Sequence, residues 1–198
     1  LATPPEKIKQ EAYVVYETQK MDLLSLLIND HSMKSIVIFG ATKSGVKQIS
    51  RQLKKDKHNV EEIHSDLEQK ERETVMNRFK SRQTRILVAT DIISRGIDIE
   101  DIDLVINFDV PGDAEDYVHR IGRTARAENQ GKACTLIGIA EQEKFARIEK
   151  LLKKEVEKVS LPDKIGAGPA YLGAGQKKKG FKNRRFNRRG KNKKTSRR

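Results

Sequence analysis

Acidic residues are absent from positions 177–198, "KKKGFKNRRFNRRGKNKKTSRR", which hold 7 lysines and 6 arginines. All 28 acidic residues lie upstream, where they face the other 28 of the chain's 41 basic residues. The body is therefore formally neutral, and the tail carries the whole net charge of +13. Such a split points to a nucleic-acid or acidic-surface partner for the tail and says nothing about the fold. Cysteine is nearly absent too. Cys134 stands alone, which excludes an internal disulfide and fits a reducing compartment, so a cytoplasmic location is expected. It lies in the apolar run "KACTLIGIA", where a thiol acts as a small hydrophobe rather than a nucleophile. No run approaches the ~20 apolar residues of a membrane span, and no membrane partner is expected. The first residues, "LATPPEKIKQEAY", lack the apolar stretch of a signal peptide and an initiator methionine; they read as a cut edge.

The 198 residues suit one α/β domain with a tail. Four short apolar runs recur: "SIVIFG" (35–40), "RILVAT" (85–90), "DLVINFD" (103–109) and "ACTLIGIA" (133–140). They are β-branched and nearly continuous, as strands buried on both faces of a parallel sheet are. "AYVVYET" (12–18) and "NVEEIH" (59–64) add two further strands. Helical patterns alternate with them. "MDLLSLLIND" (21–30) is one, and "KSGVKQISRQLKKD" (43–56) puts Val46, Ile49 and Leu53 on one face. "EQKERETVMNRFK" (68–80) buries Val75, Met76 and Phe79, with a capping box at Ser65 and Glu68 or at Asp66 and Gln69. "EQEKFARIEKLLKK" (141–154) sets Phe145, Ile148, Leu151 and Leu152 at core spacing. This alternation predicts βαβ units in a doubly wound, mostly parallel sheet with helices on both faces. Ligands of such sheets sit beyond the carboxyl ends of the strands. "GATKSG", "TDIISRGID" and "DVPGDAEDY" fall there. The expected organisation is the end of an interdomain linker (1–10), a domain (11–158), a Gly/Pro-rich linker (159–176) and the basic tail (177–198). The tail has too few apolar residues to fold alone and is expected to be disordered.

One stretch crowds its charge. "YVHRIGRTARA" (117–127) places His119, Arg120, Arg123 and Arg126 at helical neighbour spacing, where like charges repel by roughly 0.2–0.5 kcal/mol a pair. Asp116 stands four before Arg120, so a structural pair is available there. Arg123 has His119 at that distance and Arg126 has Gly122. Those two arginines call either for an anion, which planar guanidinium forks suit when it is a phosphate, or for a solvated basic face.

The stretches "VIFGATK", "QKER", "ATDIISRGIDI" and "HRIGRTARA", in that order, decide more than any one of them. Together they resemble the C-terminal RecA-like domain of the DEAD-box RNA helicases, over roughly residues 8–155. The Lys/Arg-rich, Phe-punctuated tail is most similar to the bacterial RhlE-type subgroup. The resemblance implies a RecA-like fold and a role for each matching residue. Arg123 and Arg126 match the pair that reaches the ATP γ-phosphate across the domain interface. His119 and Arg120 match positions that link the domains and support the site. Asp98 matches the ribose contact; a turn or capping aspartate is its plainer reading. Thr90, Arg95 and Gly96 match the part that meets RNA phosphates; without the resemblance, Thr90 and Asp91 read as a helix cap. Thr42 and Lys43 match RNA-backbone contacts. Arg72 matches another, supported by Gln69, although Arg72 could simply pair with Glu68. His64-Ser65-Asp66 departs from the family's His-Gly-Asp, and Ala125 stands where many members have Gly.

Neither G-x-x-x-x-G-K-[ST] nor Asp-Glu-Ala-Asp occurs, so no phosphate cradle and no metal ligand is predicted here. The resemblance places ATP and Mg²⁺ mainly on an N-terminal RecA-like domain supplied by another part of the protein. It makes RNA the second partner and ATP hydrolysis coupled to RNA unwinding or remodelling the activity. In the basic tail, Phe181 and Phe186 offer stacking faces among cations; the alternative there is a nonspecific solubilising segment. Two rival functions remain open. One is a non-enzymatic RNA-binding or annealing module acting through the tail. The other is a DNA helicase half of the same fold, which the "HRIGRT" wording opposes.

Overall fold

The computed structural model describes residues 8–91, 99, 101–124 and 131–173. Their elements run β1 (Ile8–Val15), α1 (Lys20–Leu27), β2 (Ile36–Phe39), α2 (Lys43–Lys55), β3 (Val60–Ile63), α3 (Gln69–Lys80), β4 (Ile86–Ala89), β5 (Leu104–Asn107), α4 (Ala114–Gly122), β6 (Gly131–Gly138), α5 (Gln142–Leu152) and β7 (Glu157–Lys158). The strands form one sheet in the order β3-β4-β2-β5-β6-β1-β7. Every pairing is parallel.

The apolar runs are continuous because both faces of each central strand are covered. Alternate residues sort to opposite sides. Ile36 and Ile38 of β2 pack with Leu23, Leu24 and Ile28 near α1 and with Val46, Ile49 and Leu53 of α2. Val37 and Phe39 pack with Met76 and Phe79 of α3. Beside that second layer, Tyr117 and Ile121 of α4 meet Phe145 and Ile148 of α5 over β1 and β6. This is the expected doubly wound RecA-like architecture.

Four details differ from the sequence reading. Strand β1 starts at Ile8, ahead of its apolar run, and so takes in three residues (8–10) of the stretch read as linker. Its buried polar residues have partners: the Gln10 side-chain oxygen accepts from the Tyr117 hydroxyl, and Glu11 meets Lys9, Lys132 and the Tyr13 hydroxyl. The N-cap of α3 is Glu68, whose amide donates to the Glu71 carboxylate, rather than Ser65 or Asp66. Leu151 is exposed and Val75 only half-buried, because the helices meet the sheet along narrower stripes than their spacing suggested. Finally, 159–173 is docked. The Val159 amide donates to the Ala12 carbonyl, and the Gln19 side-chain amide donates to the carbonyls of Ile165 and Ala167. Val159, Leu161 and Ile165 pack on the α1/α2 side, whereas Tyr171 packs on the α4/α5 side. The segment thus straddles the edge of the sheet beside β1. A Cβ at Gly168 would stand 2.3 Å from the Val14 carbonyl oxygen, so only glycine allows that approach.

Candidate phosphate-binding surface

The carboxyl ends of β2, β3, β4 and β5 lie side by side, and each delivers a short turn. After β2, Gly40 lets α2 close in; a Cβ there would stand 3.1 Å from Val46 Cγ2. Thr42 caps α2 in an extended conformation, its hydroxyl accepting the Gly45 amide at 3.1 Å. Lys43 opens the helix. Its ammonium reaches Asp66 at 2.8 Å, and Lys47 reaches the other oxygen at 2.7 Å. These two lysines hold the Asp66 carboxyl at about 2, well below the usual range. The trio still carries one surplus positive charge.

After β3, His64 is buried and its Nδ1 accepts the Asp66 amide. Arg72 donates to the Ser65 carbonyl at 3.3 Å rather than pairing with Glu68. Its Nε is shielded from solvent and has no hydrogen-bond partner in this structure. Gln69 turns along its own helix to Glu73 at 3.0 Å, not toward Arg72. After β4, the Thr90 amide donates to the Ile63 carbonyl, while its shielded hydroxyl has no hydrogen-bond partner either. Buried polar groups are rarely left this way; Gln10 Nε2 and Ser50 Oγ share the condition away from this surface, whereas Arg72 and Thr90 follow neighbouring strands beside the start of α2.

After β5, Asp113 caps α4 by accepting the Asp116 amide at 2.9 Å. Arg120 projects from α4 into the core and is 1% exposed. Its Nε donates to Asp91 at 2.7 Å, and one terminal nitrogen donates to the Asn107 side chain and the Asp109 carbonyl. The guanidinium lies 4.9 Å over the Phe39 ring. Arg120 therefore answers its share of the charge crowding from within: it pairs with Asp91 rather than Asp116 and joins the turns after β2, β4 and β5. Arg123 follows as the C-cap of α4, half-buried, and its carbonyl accepts the Ile102 amide. His119 is half-buried with Nδ1 shielded. Arg95, Gly96, Asp98, Ala125 and Arg126 lie outside the described residues.

Sequence reasoning missed one cluster. Lys20 is 1% exposed, and its ammonium meets Glu141 at 2.9 Å, Asp109 at 3.3 Å and Glu17 at 3.3 Å, above the Phe108 ring. Burial alone would lower its pKa, but the three carboxylates outweigh that and raise it. Asp109 in turn accepts the Ala41 amide at 2.8 Å. Among the described residues, no group of three or more His, Cys, Asp or Glu side chains is placed to hold a metal ion. No helix there is long and apolar enough to cross a membrane.

Residues 19–128 match the family model described as the helicase conserved C-terminal domain. The ATP-dependent RNA helicase DbpA of Bacillus subtilis is 41% identical over 155 residues, covering 78% of this chain and 32% of that protein. DEAD-box ATP-dependent RNA helicase 20 of Arabidopsis thaliana is 42% identical over 154 residues, covering 77% and 31%. This chain spans about a third of the length of such relatives. Among solved structures, a DEAD box protein from Methanococcus jannaschii superposes with a TM-score of 0.74 at 37% identity, covering 78% of this chain and 42% of that one. The C-terminal domain of the DEAD-box protein Dbp5 gives 0.72 at 31% identity, covering 78% and 91%.

Proposed function

Because the chain belongs to the helicase conserved C-terminal domain family and is a DEAD-box C-terminal domain, we propose that it acts as the C-terminal half of an ATP-dependent RNA helicase. In this reading an N-terminal RecA-like domain of the same protein closes with it over ATP and one RNA strand. The observation that carries the reading is the convergence of Thr42, Arg72 and Thr90 from three adjacent strand ends, two of them with shielded polar groups that lack partners. Hydroxyl, guanidinium and helix N-terminal amide donors are what a phosphodiester accepts. Such contacts read RNA by its backbone and hence largely without regard to sequence.

Thr42, Lys43, Arg72 and Thr90, with Arg95 and Gly96, hold the RNA backbone in this reading. Asp98 holds the ribose, and Arg123 and Arg126 reach the terminal phosphate. A guanidinium pair there stabilises charge developing on the transferred phosphoryl group, an effect on the order of 10³–10⁵ in rate. Arg120 and His119 keep α4, the arginine helix that ends at Arg123, in place. Gln69 supports α3 through Glu73 instead of supporting Arg72. The ligands of Mg²⁺ we assign to the N-terminal domain; when bound there, the ion would supply charge neutralisation on the phosphates. The buried, reduced thiol agrees with a cytoplasmic setting. The basic tail adds a salt-sensitive RNA contact and agrees with a bacterial RhlE-type subgroup.

The concentration of the entire excess charge in residues 177–198 favours one second reading: RNA binding or annealing by the tail, with the arginines inert. Arg123→Ala and Arg126→Ala in the two-domain protein separate the two. Helicase action predicts a loss of RNA-stimulated ATP turnover of at least about 10² with RNA affinity retained. Unchanged turnover in both variants overturns it.

A further inference from the structure

The turn after β2 is braced from behind, and the brace runs through one side chain. Asp109 follows β5 and has three separate engagements. One carboxylate oxygen accepts the Ala41 amide at 2.8 Å. The other receives the Lys20 ammonium at 3.3 Å. Its main-chain carbonyl accepts from Arg120 at 3.2 Å. Ala41 directly precedes Thr42 and Lys43, so its amide sets where those two side chains start.

Lys20 supports this grip on both sides. Besides Asp109, it holds Glu141, whose two oxygens accept the Val110 amide at 2.8 Å and the Gly138 amide at 3.1 Å. One buried cation therefore stands between the Asp109 and Glu141 carboxylates, with Glu17 as a third partner, and both Asp109 and Glu141 fix main-chain amides at strand ends. Without the cation the two carboxylates repel one another in a partly dry site. Charge-assisted bonds of this kind are stronger and more directional than neutral ones.

We propose that Asp109, clamped by Lys20, is a positioning residue for the RNA-contacting turn Ala41–Lys43, and that through its carbonyl it joins this turn to the arginine helix. The inference rests on the RNA reading of Thr42 and Lys43 given above. It predicts an effect opposite to simple electrostatics. Removing a negative charge beside a phosphate-binding surface should tighten RNA binding by Coulomb attraction. Removing a brace should weaken it.

The test is ATP turnover of the two-domain protein titrated with a single-stranded oligouridylate. Asp109→Ala raises the KM for RNA about tenfold, the equivalent of one charge-assisted bond, with a much smaller change in kcat. Asp109→Asn retains an acceptor for the Ala41 amide and returns most of the loss. Lys20→Met behaves like Asp109→Ala, and Lys20→Arg recovers. A KM that falls or stays constant in Asp109→Ala overturns the proposal. A local readout on the 198-residue chain guards against misfolded variants. Amide exchange at Ala41 accelerates at least about tenfold in Asp109→Ala, whereas the amides of Ile36–Phe39 keep their rates; equal acceleration throughout overturns the proposal. Thr42→Ala with Lys43→Ala distinguishes the two levels. If that pair also leaves the KM unchanged, the RNA reading of the turn fails. If it raises the KM while Asp109→Ala does not, only the brace fails.

Discussion

Two residues of similar polarity on paper have opposite fates here. Arg120 is enclosed by Asp91, Asn107 and the Asp109 carbonyl, while Arg123, three positions on, stands at the helix end. Cys134 shows the same control by surroundings. It is fully buried in β6, its thiol donating to the Glu11 carboxylate at 3.8 Å. Burial pushes the thiol up to about 12, and the Glu11 charge adds to this. At about pH 8, near the ordinary thiol range, the native thiol should therefore react with iodoacetamide far more slowly than the urea-unfolded chain; equal labelling rates would contradict that burial. The sign of the linkage follows. The unfolded thiol ionises near pH ~8.5, so this contribution to stability is complete below that pH and is lost as pH rises toward about 12.

At the level of elements, glycines separate tolerance from necessity. A Cβ on Gly131 would fall 1.9 Å from the Thr124 carbonyl oxygen, a main-chain group that cannot swing aside, so Gly131→Ala should melt far below the parent. Gly122 ends α4, and nothing lies within 4 Å of the place a methyl would take there. Gly122→Ala should therefore stabilise the chain by up to ~1 kcal/mol through helix propensity. Differential scanning calorimetry checks both; a melting temperature for Gly131→Ala equal to the parent's would refute the close approach. The same scale shows what could be read in advance. Strands β2, β4, β5 and β6 announce themselves as apolar runs, since two covered faces leave no room for alternation. The start of β1 does not, because Glu11 pairs with Lys9 and with Lys132, and Gln10 accepts from Tyr117, the last two from far along the chain. The turns of the candidate site are legible through the order of their motifs. The Lys20 cluster is not: besides the local Glu17, its partners Asp109 and Glu141 stand 89 and 121 positions away, and no local period records such a meeting.

For the whole molecule, the docked segment 159–173 is part of the domain rather than a spacer. Tyr171 anchors it, donating to Glu149 at 2.7 Å with the Lys158 ammonium 4.4 Å from its ring. Tyr171→Ala should cost about 2 kcal/mol, roughly half the deletion of a fully buried aromatic, and lower the melting temperature by about 4–8 °C. Because it loosens the cover over the sheet edge, it should also make self-association concentration-dependent. Light scattering across a dilution series, read beside the melting curve, checks both; a monomer of unaltered stability would show that the segment contributes nothing. Sheet order carries one more implication, for how the chain comes together during synthesis. β1 pairs with β6, Ile8 opposite Gly131, so an early segment must wait for a late one before its backbone finds a partner. Long-range parallel pairing of that kind is slow to nucleate and exposes sticky surface meanwhile. The charges of Lys9 and Glu11 at the head of β1 would act as gatekeepers over that interval, discouraging premature contacts between nascent chains.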